Sequence, residues 1–455
     1  MSDKLNFIYK NEEDIEKLKQ HFKDNINRID PNKKTILFTV PAWTGTAHFR
    51  IITHMFALAE KYPDRFNYLY WEEENFPIKW LFDVDIWFQH RAGSIHAGYL
   101  RAKNYFPMGR EIPIVITDAD DDEVNLPPNH PMKELWYAHG KDQMAKFQLS
   151  KSDYVITTGR ALKQEFTKYN RNDKIKIFMN GFDWRLPLWH YEKTIHEYPI
   201  IGWAGLTSHL EDVSKMSKIL KVIHDKYPNV KFKIAGITDK DEHYVVEQDK
   251  KGEKTITKKN IIDEKQTYKY KMTELFKDFD KDRIELIGVL PISEYGKFYS
   301  LWDINLAYVE HNKFTKAKSP IKIVEGAFYK CINVYSNHGG YQNEFTNLAP
   351  NELKRDLLKY CAMQTENKEE WIKAISFWVE NYNTDLWNNV INRQFDFVND
   401  VFDIKNQVDE RLEFYENCIK ENSKQSESFL NMVASEEVLK KDWDNPVEDK
   451  VWEHL

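Results

Sequence analysis

The stretch KAKSPIKIVEGAFYKCINVYS, Lys316 to Ser336, joins a short helix pattern directly to an apolar strand pattern. Serine is favoured as an N-cap and proline at the first helical position, so the Ser-Pro pair predicts where this helix begins. The apolar residues that follow recur with helical spacing, and CINVYS has the composition of a buried strand. The stretch therefore predicts a helix over Ser319–Tyr329 that leads into a strand of an α/β fold.

The charges at this helix start are unusual. Lysines crowd the end at which the helix dipole is already positive, where a cation is unfavourable by about 0.3–1 kcal/mol. Lys318, Lys322 and Glu325 share one face of the helix because residues four and seven apart lie together. A diphosphate bound there would meet backbone N–H groups, the Ser319 hydroxyl and two ammonium groups, while Glu325 would face the hydroxyls of a ribose. The pattern predicts a nucleotide diphosphate sugar site.

Strand and helix patterns alternate along most of the chain. The first series of strands is TILFTV, FNYLYW, VDIWFQ, IPIVITD and YVITTG, and the second is PIIGWAG, VKFKIAG, RIELIGVL, WDINLAYV and CINVYS. Such alternation predicts parallel sheets with helices on both faces. We expect an α/β fold with Rossmann-like domains at 1–190 and 191–375, and C-terminal helices and a tail at 376–455.

The segment 239–271 interrupts the second series. HYVVEQ and KTITKK flank the turn-forming sequence DKKG, which predicts a protruding β-hairpin. Its lysines are nearly balanced by acids, so the segment carries little net charge.

The composition indicates a folded protein that is not a general polyanion binder. The 455 residues are 42% hydrophobic and 30% charged, with a net charge of −7. Three cysteines have no metal-ligand spacing, and neither a signal peptide nor an apolar run of about 20 residues is visible. We expect an unanchored cytoplasmic protein, in the host cytoplasm if a phage encodes it.

Several segments resemble retaining GT-B glycosyltransferases, in the large family of sucrose-synthase-like and lipopolysaccharide-type enzymes of bacteria and phages. IIGWAGLTSHLEDV, VKFKIAG, GVLPISEYGKFYSLWDINLAYV and KAKSPIKIVEGAFYKCINVYSN look like the donor half. VPAWTGTAHFRI, VDIWFQHR, VITDADDDEVNLP and YVITTGRALKQEF are similar to the acceptor half, in the same order. The resemblance implies two Rossmann-like domains that face a cleft and a metal-independent, retaining transfer from a nucleotide sugar, with UDP-sugar as the first choice.

The resemblance also implies roles for individual residues. The glutamate that matches Glu325 binds the ribose, and the basic position that matches Lys318 or Lys322 neutralises the diphosphate. Many members have a further glutamate where this chain has Ala317, and the usual basic residues of the early donor loop are replaced here by His209. Gly202 to Gly205, with Trp203 between them, would form a glycine turn against the nucleotide. The other residues expected to contact the donor are Ser319 and, in the opposing loop beneath the sugar and phosphate, Gly45 and Arg50.

Acidic residues follow the strand IPIVIT, at the carboxyl end where the cleft of an open α/β sheet lies. A carboxylate there would position or deprotonate an acceptor hydroxyl. We predict Asp118 and Asp120, together with Lys318, as the catalytic residues. Further acceptor-side candidates are Arg91, Asp121 and His139.

Two other functions remain open at this point. DADDD contains Asp-x-Asp, whose carboxylates would hold a divalent metal in a GT-A glycosyltransferase, although that hypothesis leaves the second half without a role. A non-catalytic protein that binds nucleotides or carbohydrates is the other alternative, because a fold does not establish chemistry.

The acceptor is also open between a glycan and DNA with hydroxymethylated bases. If DNA is the acceptor, lysines of the hairpin would contact its backbone and the target base would flip into the cleft. These lysines are Lys250, Lys251, Lys254, Lys258 and Lys259. Besides the nucleotide sugar as co-substrate, we expect no cofactor and no metal.

Overall fold

The computed structural model describes residues 7–41, 45–72, 80–81, 83–91, 98, 113–128, 130, 133–238, 242–248, 254–260 and 263–433. These residues form two six-stranded sheets and a separate two-stranded hairpin. All strand pairs within the two large sheets are parallel. The predicted α/β fold with two parallel sheets is confirmed.

The first sheet has the strand order β2-β1-β3-β4-β5-β6. Its strands are β1 Lys34–Val40, β2 Phe66–Glu72, β3 Ile86–His90, β4 Ile114–Ala119, β5 Tyr154–Thr157 and β6 Ile175–Ile177. Nearly all residues of the central strands are buried, as expected for a sheet covered on both faces. Strand β6 escaped prediction because its three residues are too few to show a period.

The second series of strands is β7 Ile200–Ala204, β8 Lys231–Ile237, β9 Glu242–Gln248, β10 Lys254–Asn260, β11 Ile284–Gly288, β12 Ile304–Ala307, β13 Ile332–Ser336 and β14 Ala362–Met363. All but β9 and β10 form the second sheet, in the order β11-β8-β7-β12-β13-β14. Strands β9 and β10 pair antiparallel, as the hairpin prediction requires. Lys250 and Lys251 lie outside the described residues.

Helices cover both sheets. In the first half they are α1 Glu12–Asp24, α2 Gly45–Ala47, α3 Thr53–Lys61, α4 Lys133–Ala138, α5 Lys141–Lys151 and α6 Arg160–Phe166. In the remainder they are α7 Leu210–Lys226, α8 Tyr268–Leu275, α9 Lys297–Ser300, α10 Lys313–Lys316, α11 Ile321–Phe328, α12 Asn351–Tyr360, α13 Lys368–Glu380, α14 Asp385–Val401 and α15 Ile404–Val433. None of the helices in the described part of the chain is both long and apolar enough to span a membrane.

The helix of the opening stretch is shorter at its start than predicted. Helix α11 begins at Ile321, and Pro320 takes the cap position without any side-chain cap. The Pro320 carbonyl accepts the backbone N–H of Val324 at 3.1 Å. Ser319 therefore does not cap the helix, and its hydroxyl accepts a hydrogen bond from Asn180 instead, at 3.1 Å.

The linker between the two sheets comprises residues 180–199, and its first half is mostly buried. Phe182, Trp184, Leu188 and Trp189 all belong to the hydrophobic core. The Trp184 ring stacks on Phe328 of helix α11 with 4.0 Å between centroids. The linker thus packs against the C-terminal end of helix α11.

The last helix returns to the first sheet. Arg411 of α15 donates to the Met179 carbonyl at 3.1 Å, and the Tyr415 ring meets the edge of Phe38 in β1 at 6.3 Å. Helix α14 instead packs against α11 in the second half. The C-terminal helices therefore connect the two halves.

Candidate active site

A cavity of about 360 Å³ lies between the two halves, within the size range of small-molecule sites. Gly45 follows strand β1, and Asp120 follows β4 of the same sheet. Leu206 and Val309 follow β7 and β12 of the other sheet. The cavity thus lies at the carboxyl ends of strands from both sheets, where open α/β sheets bind ligands.

Helix α11 brings two ionisable side chains, Lys322 and Glu325, to this cavity without a hydrogen bond between them. The Nζ atom of Lys322 and both carboxylate oxygens of Glu325 are buried and make no hydrogen bond of ordinary geometry within the described chain. Among the described residues, the nearby Tyr299 hydroxyl is the one neutral group that acts on the pKa of Glu325, which it lowers. Burial lowers the pKa of Lys322 to about 8 and raises that of Glu325 to about 8. Leaving such groups buried without partners is costly, so their arrangement favours a polar ligand.

The Trp203 ring forms the floor beneath Lys322, with its centroid 5.3 Å from Nζ. Trp203 is fully buried and lies inside strand β7. This contact supplies a weak cation–π attraction but no hydrogen bond. The predicted turn at Gly202 to Gly205 is wrong for three of its four residues, because strand β7 extends through Ala204 and only Gly205 follows it.

The two glycines of that segment serve packing. A Cβ on Gly202 would meet the Trp302 ring at 1.8 Å, and one on Gly205 would meet the Trp203 ring at 2.5 Å. Neither glycine borders the cavity. Gly45 does border it, and a Cβ there would meet nothing within 4 Å.

Lys318 crosses the cleft to Asp121, with 2.9 Å between Nζ and the carboxylate. The same Nζ lies 4.6 Å above the Phe314 ring. Lys318 and Asp121 are both partly exposed, so the ion pair contributes little to stability. A bound anion can therefore compete for Lys318 at a small cost.

His209 also borders the cavity. Its Nδ1 lies 2.8 Å from Asp212 at the start of helix α7. Burial, together with a smaller contribution from the neighbouring Lys322, lowers the pKa of His209 to about 4. The imidazole is therefore neutral at pH 7 and offers a hydrogen bond rather than a positive charge.

Arg50 and Asp118 pair with each other behind the cavity. Both side chains are fully buried, and Asp118 also contacts His90 Nδ1 at 2.7 Å. Burial alone would raise the pKa of Asp118, but Arg50 and His90 outweigh it and hold that pKa below its ordinary value. Neither side chain borders the cavity. The predictions of Asp118 as a catalytic residue and Arg50 as a donor contact are therefore not supported by this geometry.

Asp120 borders the cavity but is held by Arg91 through two hydrogen bonds of 2.9 and 3.1 Å. Burial opposes ionisation, yet Arg91 dominates and holds the Asp120 pKa well below its ordinary value. Arg91 itself has a φ of 61°, a left-handed backbone that is uncommon for a residue other than glycine. Asp120 is thus a fixed acceptor, and Arg91 is already neutralised.

His139 stands apart from these groups. It is exposed in the turn before Gly140, which has a φ of 62° and separates helices α4 and α5. It does not border the cavity. The prediction of His139 on the acceptor side is therefore not supported by its position.

Several residues that line the cavity were not predicted as site residues, among them Asn180, Tyr295 and Tyr341. Asn180 comes from the linker, Tyr295 from the segment after β11, and Tyr341 from the π-helical turn Tyr341–Thr346. The Asn-Gly pair at the start of the linker marks a turn, but nothing in the sequence indicates that this asparagine faces a ligand. Tyr295 and Tyr341 follow irregular segments whose direction cannot be inferred from periodicity.

A second cavity of about 280 Å³ adjoins the first and shares His209, Val309 and Lys318 with it. Its wall includes hydroxyl and amide side chains. It also includes three carboxylates and two ammonium groups, which belong to Glu211, Asp212, Glu310, Lys271 and Lys318. The continuation of the cleft beyond Lys318 is therefore hydroxyl-rich and slightly acidic.

The Asp-x-Asp pattern does not present free metal ligands. Asp118 is paired with Arg50 and Asp120 with Arg91, while Asp122 accepts two bonds from Asn125 at 2.9 and 3.0 Å. Within the described ranges, no three His, Cys, Asp or Glu side chains converge as a metal site.

No protein-family model matches the sequence, and no curated protein sequence does either. Solved structures do match. A glycosyltransferase from Rickettsia africae ESF-5 is 17% identical and superimposes with a TM-score of 0.55, over 86% of this chain and 99% of its own. The catalytic domain of starch synthase IV from Arabidopsis thaliana, bound to ADP and acarbose, is 11% identical with a TM-score of 0.49, over 74% and 73% of the two chains.

The second of these scores is too low to support a conclusion, so the comparison rests on the Rickettsia structure. At 17% identity the likeness establishes fold and not activity. Together with the two parallel sheets around one cleft, it shows that this chain has a GT-B-type α/β fold.

Proposed function

We propose that this protein is a glycosyltransferase that moves a sugar from a nucleotide diphosphate sugar, with a UDP-sugar as the first choice, to a hydroxyl group. The observation that carries the proposal is the unpartnered pair Lys322 and Glu325, buried at the start of helix α11 inside the interdomain cavity. Neither Lys322 nor the Glu325 carboxylate makes an ordinary hydrogen bond among the described residues, and the Tyr299 hydroxyl and Asp212 only partly offset their burial. A nucleotide diphosphate supplies a hydrogen-bond partner for each.

The diphosphate binds at the N-terminus of α11. Its negative charge is attracted by the helix dipole, by the Lys322 ammonium and by Lys318 after exchange from Asp121. Contact with phosphate also restores an ordinary pKa to Lys322, because an adjacent anion favours the charged form. These groups neutralise the leaving diphosphate without a metal ion.

Glu325 accepts hydrogen bonds from the ribose hydroxyls, one turn further along the helix. Hydroxyl donors favour the ionised carboxylate and therefore lower its raised pKa on binding. Tyr295 and Ile292 border the same end of the cavity and exclude water around the nucleoside.

We infer a retaining mechanism. The bond between the anomeric carbon and the β-phosphate oxygen breaks, and its electron pair stays on the diphosphate. The acceptor oxygen forms the new bond from the same face, and its proton passes to the phosphate oxygen that has just left. Asp120 and Asp121 border the cavity on the acceptor side and orient the incoming hydroxyl.

We propose a glycan as the acceptor rather than DNA. The second cavity continues from Lys318 and carries more carboxylates than ammonium groups. Hydroxyl, amide and carboxylate side chains suit hydroxyl-rich sugars, whereas a polyanionic backbone would be repelled.

The proposal is tested by measuring UDP release from a panel of UDP-sugars in EDTA, with and without neutral oligosaccharides. We expect release that oligosaccharide accelerates, and a product whose anomeric proton coupling in NMR shows the same configuration as the donor. Inversion would contradict the retaining mechanism. Nucleotide binding without any turnover would instead support the non-catalytic alternative.

A further inference from the structure

Asn180 joins the two halves of the site. It lies in the linker, is 7% exposed and borders the cavity. Its Nδ2 donates to the Ser319 hydroxyl at 3.1 Å, and its Oδ1 accepts from Arg50 Nη1 at 3.3 Å. One amide side chain therefore connects a buried ion pair of the first half to Ser319, two residues before helix α11 in the second half.

The orientation of this amide is determined by chemistry. A guanidinium has only donors, so the group that faces Arg50 must be the amide oxygen. The amide nitrogen then faces Ser319, and it too is only a donor. Arg50 cannot rotate away, because it also donates to the Phe178 carbonyl at 2.6 Å and pairs with Asp118.

This arrangement fixes what the Ser319 hydroxyl can do. A serine hydroxyl has one proton, and its oxygen is already accepting from Asn180. Among the described residues the hydroxyl makes no further hydrogen bond, and it does not cap helix α11. The Ser319 proton therefore remains for an acceptor in the cavity, which Ser319 borders.

We propose that Asn180 is a positioning residue that makes the Ser319 hydroxyl a hydrogen-bond donor to the diphosphate of the bound nucleotide. This inference rests on the proposed function, because it assigns a phosphate oxygen as the acceptor. The phosphate oxygens of a nucleotide sugar are hydrogen-bond acceptors at neutral pH. A serine hydroxyl that is held as a donor therefore favours phosphate over a group that can only donate. It also means that the diphosphate site is complete only when the first half contributes Asn180 to the second.

The test compares four chains by calorimetric titration with UDP and with uridine, which lacks phosphate. They are the unmodified chain, Ser319→Ala, Asn180→Ala and the double variant. We expect Ser319→Ala to weaken UDP binding by about tenfold to a hundredfold, since the lost bond is to a charged group. Uridine binding should not change. Asn180→Ala should cause a smaller loss, and the double variant should lose no more than Ser319→Ala alone.

A second variant keeps the test independent of folding. Ser319→Thr retains the hydroxyl and should retain UDP affinity, and Ser319 does not contact the buried Arg50 pair, so its variants should fold even if Asn180→Ala does not. Equal UDP affinity in Ser319→Ala and the unmodified chain would overturn the inference. Additive losses, or equal losses for uridine and UDP, would also overturn it and show a merely structural role. Failure of the unmodified chain to bind any nucleoside diphosphate would overturn the proposed function and this inference together.

Discussion

Lys322 and Glu325 occupy positions at which a chain selected for stability alone would carry apolar residues. Both groups are kept buried and without hydrogen bonds among the described residues, and burial moves the pKa of each to about 8. Buried polar groups without partners are a recognised cost of functional sites. The pair therefore marks the ligand site more specifically than the lysine-rich sequence does.

Replacing Glu325 with glutamine should separate stability from binding. Burial raises the pKa of Glu325 from its ordinary 4.5 to about 8, so between these values the folded chain holds a proton that the unfolded chain has released. The stability of the unliganded chain should therefore fall as pH rises from about 4.5 to about 8, and Glu325→Gln should reduce that fall. Urea midpoints across this pH range provide the measurement.

The same variant should bind UDP about tenfold more weakly, because an amide accepts less strongly than a carboxylate. Glu344→Gln is the matched control. Burial raises the pKa of Glu344 to about 7, but it lies outside the cavity and accepts from the Arg160 N–H at 2.9 Å. It should alter the pH dependence of stability and leave UDP binding unchanged. Loss of binding in the control alone would contradict the assignment.

Lys318 should matter for turnover rather than for folding. Lys318→Ala removes a cation from the diphosphate site, and loss of one such stabilising group costs about 10²–10³ in kcat. Lys313→Ala breaks a comparable contact across the cleft, to Glu165 at 3.0 Å, but outside the main cavity. Initial rates at saturating donor should fall only for Lys318→Ala. A similar fall in both variants would mean that closure of the cleft, and not charge at Lys318, limits the rate.

The structure places Lys318, Lys322 and Glu325 together at the cavity, whereas several of the residues predicted in the first half lie away from it. Lys322 and Glu325 lie within α11, so their shared face follows from helical spacing, and Lys318 lies three residues before the helix and borders the same cavity. Asp118 looked like a cleft carboxylate because it ends a strand, but its partner Arg50 is 68 residues away in sequence. No local pattern shows that such a pair will form.

At the scale of elements, the glycines of strand β7 show that a glycine-rich segment can serve packing instead of a ligand-binding turn. The glycines at its end suggested a nucleotide-binding turn, whereas Gly202 lies inside the strand and makes room for Trp302. Contact with a tryptophan from a distant segment has no signature in the local sequence. The strands of the two large sheets were predicted well, since ten apolar runs were long enough to show composition and length, whereas β6 and β14 have three and two residues.

Gly202→Ala should therefore destabilise the fold strongly. The added Cβ would lie 1.8 Å from the buried Trp302 ring, and such overpacking costs about 1–3 kcal/mol or more. Gly45→Ala is the control, because nothing lies within 4 Å of its Cβ. Urea denaturation should show a lower midpoint for Gly202→Ala alone. An unchanged midpoint for Gly202→Ala would contradict the packing role.

At the scale of the whole molecule, the contacts that form the cleft could not be predicted from strand and helix patterns, although the family resemblance implied a cleft. Two series of alternating elements predict two sheets, but not that the linker would be buried or that α15 would return to the first half. Those contacts bring Asn180 to Ser319 and Asp121 to Lys318. The domain limits at 190 and 375 remain predictions.

The charge of the second cavity leads to a prediction about the acceptor. With a UDP-sugar donor, neutral oligosaccharides should accept the sugar, whereas duplex DNA with hydroxymethylcytosine should not, because the carboxylates of this wall repel a polyanion. The preference for one acceptor over the other is measured as transfer of radiolabelled sugar to each acceptor, in parallel reactions at low and high salt. Transfer to DNA that weakens with salt would instead favour the hairpin lysines as a DNA contact.

The most direct measurement is a thermal shift of the unmodified chain with UDP, ADP and GDP, and with their sugars, first in EDTA and then with Mn²⁺. A ligand at 100 times its Kd adds about 2.7 kcal/mol to the free energy of unfolding. The account predicts a rise in Tm with one nucleotide in EDTA that Mn²⁺ does not increase. No rise with any nucleotide, or a rise only with Mn²⁺, would contradict a metal-free donor site at Lys318, Lys322 and Glu325.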